Sequence, residues 1–174
     1  MTEEPNRKLV EDYMTAWANA DVPKLERLVA GNARFHNPPP GVTPDRTGAI
    51  EMAKQYRQGF PDLKIRFGTW VLQGNNVAVS FVGSGTHKGT FMGVEPTNVH
   101  AETPGIAIVT VKDGKVVEDT TSYDALGLLT QLGAIPPIGE GQAQTGSGNA
   151  GRPARPGSGP GKGPTTQQER PVHS

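Results

Sequence analysis

The chain has 174 residues, with 17 basic and 17 acidic side chains and no cysteine. That length suits one domain of ordinary size, and zero net charge gives no electrostatic reason to expect nucleic acid or an anionic membrane as partner. The missing thiols exclude disulfides, thiolate metal sites and a cysteine nucleophile.

The opening MTEEP has no basic region followed by an apolar core, so no signal peptide is read and the cytoplasm is the expected location. No apolar run approaches the ~18 residues of a membrane span. The first predicted element covers residues 6–18, where Val10, Tyr13, Met14 and Trp17 recur at helical spacing. Asp21 is placed to cap a second helix carrying Leu25, Leu28 and Val29, with Pro23 in its first turn. Pro38 to Gly41 is a loop, because three successive prolines cannot donate to a ladder. Thr47 is the expected cap of a third helix through Ile50, Ala53 and Tyr56, ended by the turn at Phe60 to Asp62.

Beyond this point the apolar period shortens to about two. Leu63 to Gln73 is a predicted strand, Gly74 to Asn76 a hairpin turn, and Val77, Val79 and Phe81 mark the next strand. Val99 to Val111 is the long central strand, which Lys112-Asp113-Gly114 turns back into Lys115 to Tyr123. Asp124 is the expected cap of a last helix whose Leu126, Leu129 and Leu132 pack inward and whose Gly133 supplies the left-handed end. Helices first and an antiparallel meander second define an α+β class. Residues 1–137 are expected to fold as one domain. Residues 138–174 form a Gly/Pro-rich tail too poor in apolar residues to order itself, and are expected to be disordered.

Two segments carry a resemblance. GTHKGTFMGVEPTN (Gly85 to Asn98) and GKVVEDTTSYDALGLLTQLG (Gly114 to Gly133) make residues 6–136 similar to the SnoaL-like polyketide cyclases, or ester cyclases, of the nuclear transport factor 2-like superfamily. The family pattern runs roughly DGK-[IV]-x-E-x-W-D-x-x-D followed by QLG. The resemblance implies a cone, with a strongly curved antiparallel sheet wrapped around N-terminal helices and an apolar pocket inside. It also implies cyclisation or isomerisation of a polyketide-like substrate in secondary metabolism. In the family the aspartate after the Trp is the acid/base; here Thr120 and Thr121 stand at those two places, while the second aspartate is matched by Asp124. The implied enzyme therefore lacks the usual acid/base, and a non-catalytic binding protein for a small apolar ligand is the alternative.

Strand alternation places Asp119, Thr121 and Tyr123 on one face. The family's polar pocket positions in the neighbouring strand fall on Gly105 and Ala107, which predicts a wider, less polar pocket. Trp17, Phe60, Gly105, Ala107, Thr121 and Tyr123 are the candidate lining. No catalytic residue is assigned; His36, Asp119 and Asp124 are the weak candidates. His36 is read as a loop histidine, of a residue type that can serve as a general base. Asp119 is read as solvated beside Glu118, and Asp124 as a helix cap. His87 is read as structural, on an exposed segment. His100 and Glu102 are expected to face outward, and Ile106 and Ile108 form an outward apolar row that predicts a homodimer. No HExxH, phosphate-loop or GxSxG pattern occurs, so neither metal nor cofactor is expected.

Overall fold

The computed structural model describes residues 3–36 and 38–137. The predicted tail, 138–174, lies outside the described residues. Four helices and five strands follow in the order α1 (Glu3–Ala18), α2 (Val22–Leu28), β1 (Val29–His36), α3 (Arg46–Gly59), β2 (Lys64–Gln73), β3 (Asn76–Thr86), β4 (His100–Lys112), β5 (Lys115–Tyr123) and α4 (Ala125–Gln131). The strands make one curved, unclosed sheet in the order β1-β5-β4-β3-β2. The class is α+β, as the sequence pattern implies.

Local chemistry explains most boundaries. Val10, Tyr13 and Met14 are buried on one stripe of α1. Asp21 caps α2 by accepting the Lys24 amide at 3.1 Å. The cap of α3 is Asp45, not Thr47: its carboxylate accepts the Gly48 amide at 3.0 Å and the Thr43 hydroxyl at 2.8 Å. A carboxylate near the helix N-terminus also meets the positive end of the helix dipole, which a threonine cannot match. Asp113 and Gly114 both take positive φ, 51° and 70°, as a two-residue hairpin turn requires. In α4, Leu128 and Leu132 are buried while Leu126 is exposed, so the inward face is turned from the predicted one. Gly133, at φ 74°, ends the helix left-handed.

β1 is the element that sequence pattern missed. Val29 starts a strand rather than ending a helix, and His36 ends that strand rather than sitting in a loop. Gly31 and Asn32 are poor strand formers. β1 nevertheless pairs with β5 in parallel, Phe35 opposite Asp119 and His36 opposite Thr120. The sheet is therefore mixed, an antiparallel meander of β2 to β5 with one parallel edge strand, and not purely antiparallel.

The main core lies between the inner sheet face and α1 to α3, around Val10, Leu25, Ala53, Val77, Val109 and Val116. A second cluster gathers Phe60, Phe91, Ala101, Leu128 and Leu132. Phe91 belongs to the segment between β3 and β4, and its backbone exchanges hydrogen bonds with Val94 across Met92 and Gly93. The same segment is tied to the end of α3, because the Lys88 and Gly89 amides both donate to the Gly59 carbonyl. Among the described residues no helix is long and apolar enough to cross a membrane.

Candidate active site

A cavity of about 440 Å³ opens between α1, α3 and the inner sheet face. Its lining is mostly apolar and includes Met14, Trp17, Phe60, Ile65 and Phe81. His36, Thr43 and Met92 are exposed members of the lining and mark where it opens. Of the six predicted pocket residues, Trp17, Phe60, Thr121 and Tyr123 line it.

Gly105 and Ala107 do not line this cavity, although they share the inward face: Gly105 is opposite Tyr123 and Ala107 opposite Thr121. Ala107 is completely buried in the main core. Gly105 lies under the ring of Phe81, its partner on β3; a methyl group there would come within 2.5 Å of the ring. The bulk missing from β4 is thus supplied from β3, in the manner of an aromatic covering a cross-strand glycine. The expected widening of the pocket at Gly105 does not occur.

The acidic group in the cavity is Asp119. It is 6% exposed, which corrects the expectation of a solvated side chain beside Glu118. The two neighbours differ because successive strand side chains point to opposite faces: Glu118 is exposed and Asp119 points inward. The Tyr13 hydroxyl donates to Asp119 Oδ2 at 2.7 Å. The Thr121 hydroxyl donates to Oδ1 at 2.6 Å. Burial pushes the carboxyl above the ordinary carboxylate range, against the opposing pull of these two donors and of His36. Each carboxylate oxygen keeps a free lone pair beyond its single bond, so the group remains able to take a proton from a molecule in the cavity.

Tyr13 was legible in the sequence only as part of an apolar stripe. A buried tyrosine hydroxyl needs a partner, and the inward parity of Asp119 was the available signal for which one. Burial and the adjacent carboxylate raise the Tyr13 phenol well above its usual range, so it stays a donor. Across the cavity Tyr56 packs against Trp17 with ring centres 5.1 Å apart, Phe91 at 4.7 Å and Tyr123 at 6.1 Å. Its hydroxyl is enclosed, with the Tyr123 hydroxyl as its polar neighbour and no other partner among the described residues. Burial raises this phenol too, and the adjacent Tyr123 hydroxyl adds to the rise.

The remaining candidates fall elsewhere. His36 lies at the cavity opening, its Nε2 3.8 Å from Glu118 Oε2, with both side chains substantially exposed. Asp124 caps α4, accepting the Gly127 amide at 2.7 Å, and is exposed outside this cavity. His87 is fully buried, contrary to the exposed segment expected for it. Its Nδ1 accepts the Thr97 amide at 3.3 Å and its ring packs on Phe60 at 5.3 Å, so it locks the β3–β4 segment. His100 and Glu102 are exposed. Among the described residues no three His, Asp or Glu side chains converge as a metal would need.

Comparison with known proteins agrees with this fold. A family model described as SnoaL-like polyketide cyclase matches residues 7–132. Among solved structures, IdmH of Streptomyces antibioticus, a candidate polyketide cyclase, is 32% identical with a TM-score of 0.66, over 74% of this chain and 98% of that one. A candidate SnoaL-like polyketide cyclase from Jannaschia sp. CCS1 is 24% identical with a TM-score of 0.67, over 77% and 95% of the two chains. AclR of Streptomyces galilaeus, a candidate hydroxylase, is 23% identical with a TM-score of 0.68, over 78% and 85%. The last two show the fold alone, and the hydroxylase description illustrates that one fold hosts different chemistries. No functionally curated sequence matches the chain significantly. By the extent of the family match and the likeness to IdmH, the chain belongs to the SnoaL-like polyketide cyclase family.

Proposed function

We propose that the protein catalyses cyclisation or isomerisation of an apolar, polyketide-like carbonyl compound, with Asp119 as acid and base. The observation that carries this reading is a buried carboxylate in an apolar cavity, held through both oxygens by Tyr13 and Thr121. Asp119 accepts a proton from a carbon flanked by carbonyl groups. The resulting enolate carbon attacks a second carbonyl carbon of the same molecule, a carbon–carbon bond forms, and the new alkoxide recovers the proton from the Asp119 carboxyl. Burial supports both steps, because it brings the carboxyl closer to neutrality than a solvated one. The cavity walls hold the chain folded for ring closure, which lowers the entropic part of the barrier. In this reading the acid/base lies two residues before Thr121, on the same strand face, and Thr121 serves as one of its donors.

The test is α-proton exchange of a 1,3-diketone in deuterated water, followed by proton NMR. Asp119→Asn is expected to lose about 10²–10⁴-fold of the exchange rate while still binding the compound. Thr121, which stands where the family carries its acid/base, favours the second reading, a binding protein for a small apolar ligand. Tight binding with no exchange above the solvent rate in the wild type would select it, and exchange that survives in Asp119→Asn would dismiss Asp119 as the base.

We also infer a homodimer through the outer sheet face. Val71, Ile106 and Ile108 are 61%, 56% and 50% exposed. Val71, Ala78 and Ile108 form one cross-strand row, and Ser80, Ile106 and Ser122 lie in the next. Exposed aliphatic side chains grouped in this way favour a second copy as their cover. Light scattering is expected to give twice the chain mass for the wild type and a monomer for Ile108→Lys; a monomeric wild type at micromolar concentration would rule the dimer out.

A further inference from the structure

We propose that Met92 is a specificity-determining residue of the cavity: its side chain caps a bound ligand at the opening, and the ligand it suits presents an apolar segment there. The proposal rests on this cavity being the ligand site, as in the reading given above, and adds what the ligand offers at the rim.

The first observation is the backbone. Phe91 and Val94 exchange two backbone hydrogen bonds, of 3.0 and 2.9 Å, across Met92 and Gly93. Both intervening residues take positive φ, 50° and 80°. A two-residue turn of this kind favours asparagine followed by glycine, because most side chains are sterically penalised in the left-handed region. Glycine stands at the second place, but methionine stands at the first. A long apolar side chain is thus held where the turn itself gains nothing from it.

The second observation is location. Met92 is 58% exposed and belongs to the cavity lining where it opens. An exposed apolar residue alone is ordinary; one kept in a strained turn at the rim of an apolar cavity calls for a reason. The loop before α3 adds further apolar lining through the half-buried Pro38, Pro39 and Val42. Methionine is unbranched, with several rotatable bonds and a polarizable sulfur, so it adapts to apolar surfaces of different shape.

The third observation is the anchoring of the turn. Phe91, the residue before Met92, is 3% exposed, and its ring packs on Tyr56 at 4.7 Å and on Phe60 at 5.2 Å. Both of those rings line the cavity. On one side of the turn the Lys88 and Gly89 amides donate to the Gly59 carbonyl. On the other the Thr97 amide donates to Nδ1 of the buried His87. The backbone that carries Met92 is therefore set at the opening before a ligand arrives, and its side chain is left to adapt. An apolar part of the ligand beneath that side chain removes apolar surface from water on both partners, which is the source of affinity. A hydroxyl or carboxylate at the same place would find no donor on Met92.

The test is titration calorimetry with 2-decanone as the apolar probe, alongside thermal unfolding of the free proteins. Met92→Asn suits the left-handed turn and removes the apolar cap. It is expected to melt no lower than the wild type and yet to bind 2-decanone about fourfold to fifteenfold more weakly, the range for one or two methylene groups left in water. Met92→Leu keeps an apolar side chain and is expected to retain the wild-type affinity. Asp119→Asn is expected to keep that affinity while losing α-proton exchange, so failure of the base assignment and failure of the cap read out separately. No binding of 2-decanone to the wild type, an affinity unchanged in Met92→Asn, an equal loss in Met92→Leu, or a lowered melting temperature for Met92→Asn would each overturn the proposal.

Discussion

Replacing Tyr13 by phenylalanine isolates what one hydroxyl does for Asp119. The ring is 3% exposed and remains in place in the variant, so packing is kept and only the donor to Asp119 Oδ2 at 2.7 Å is lost. A hydrogen bond to a charged group contributes about 1.5–3 kcal/mol. Losing it lifts the Asp119 carboxyl further, because the donor favours the charged form. The sign follows from which form is favoured. Tyr13 stabilises the carboxylate, so its contribution is present above the folded pKa of Asp119 and fades as pH falls through it. Urea unfolding is therefore expected to show a destabilisation of about 1.5–3 kcal/mol where Asp119 is ionised, and a smaller one where it is protonated. Carbon-13 NMR of the Asp119 carboxyl, assigned through Asp119→Asn, is expected to show the upward displacement directly. A destabilisation equal at both ends of the titration, with the Asp119 midpoint unmoved, would refute the reasoning and leave Tyr13 as a packing residue.

Three other outcomes follow from the same geometry. Because burial is the largest influence on Asp119 and raises its folded pKa, the folded chain binds more protons than the unfolded one between the ordinary aspartate value of about 3.9 and that raised value. Stability from this group therefore falls as pH rises through the window, and Asp119→Asn is expected to flatten that dependence in urea melts recorded across it; an unchanged slope would contradict a buried, raised carboxyl. Gly105→Ala places a methyl group against the Phe81 ring and is expected to cost about 1–3 kcal/mol, with Phe81→Leu relieving part of the cost in a double-mutant cycle; additive effects would show that the ring does not cover the glycine. Asp45→Ala removes the cap of α3 and is expected to cost about 1 kcal/mol, measured by thermal unfolding, whereas Thr47→Ala is expected to have little effect.

The hairpin turns, the α+β order and the helix caps at Asp21 and Asp124 were legible in the sequence because each depends on a few neighbouring residues. Glycine at Gly114 and Gly133 and prolines at Pro38 to Pro40 restrict the backbone locally, and apolar periodicity reports which side of an element faces inward. The inward parity of Asp119, Thr121 and Tyr123 was equally readable, since a strand alternates by construction. What the alternation could not supply was depth. Alternation turns Glu118 outward and Asp119 inward, but only the packing of α1 over β5 makes Asp119 a buried group held by Tyr13, 106 positions away. The same limit explains β1, whose Gly31 and Asn32 argue against a strand until β5 offers a ladder to join. It also explains Gly105, where the missing side chain reads as empty space until Phe81 on the adjacent strand fills it. Local conformation is set by short-range sterics and hydrogen bonding. Burial, the raised carboxyl and the cavity depend on residues brought together from distant parts of the chain, and those the tertiary structure alone decided.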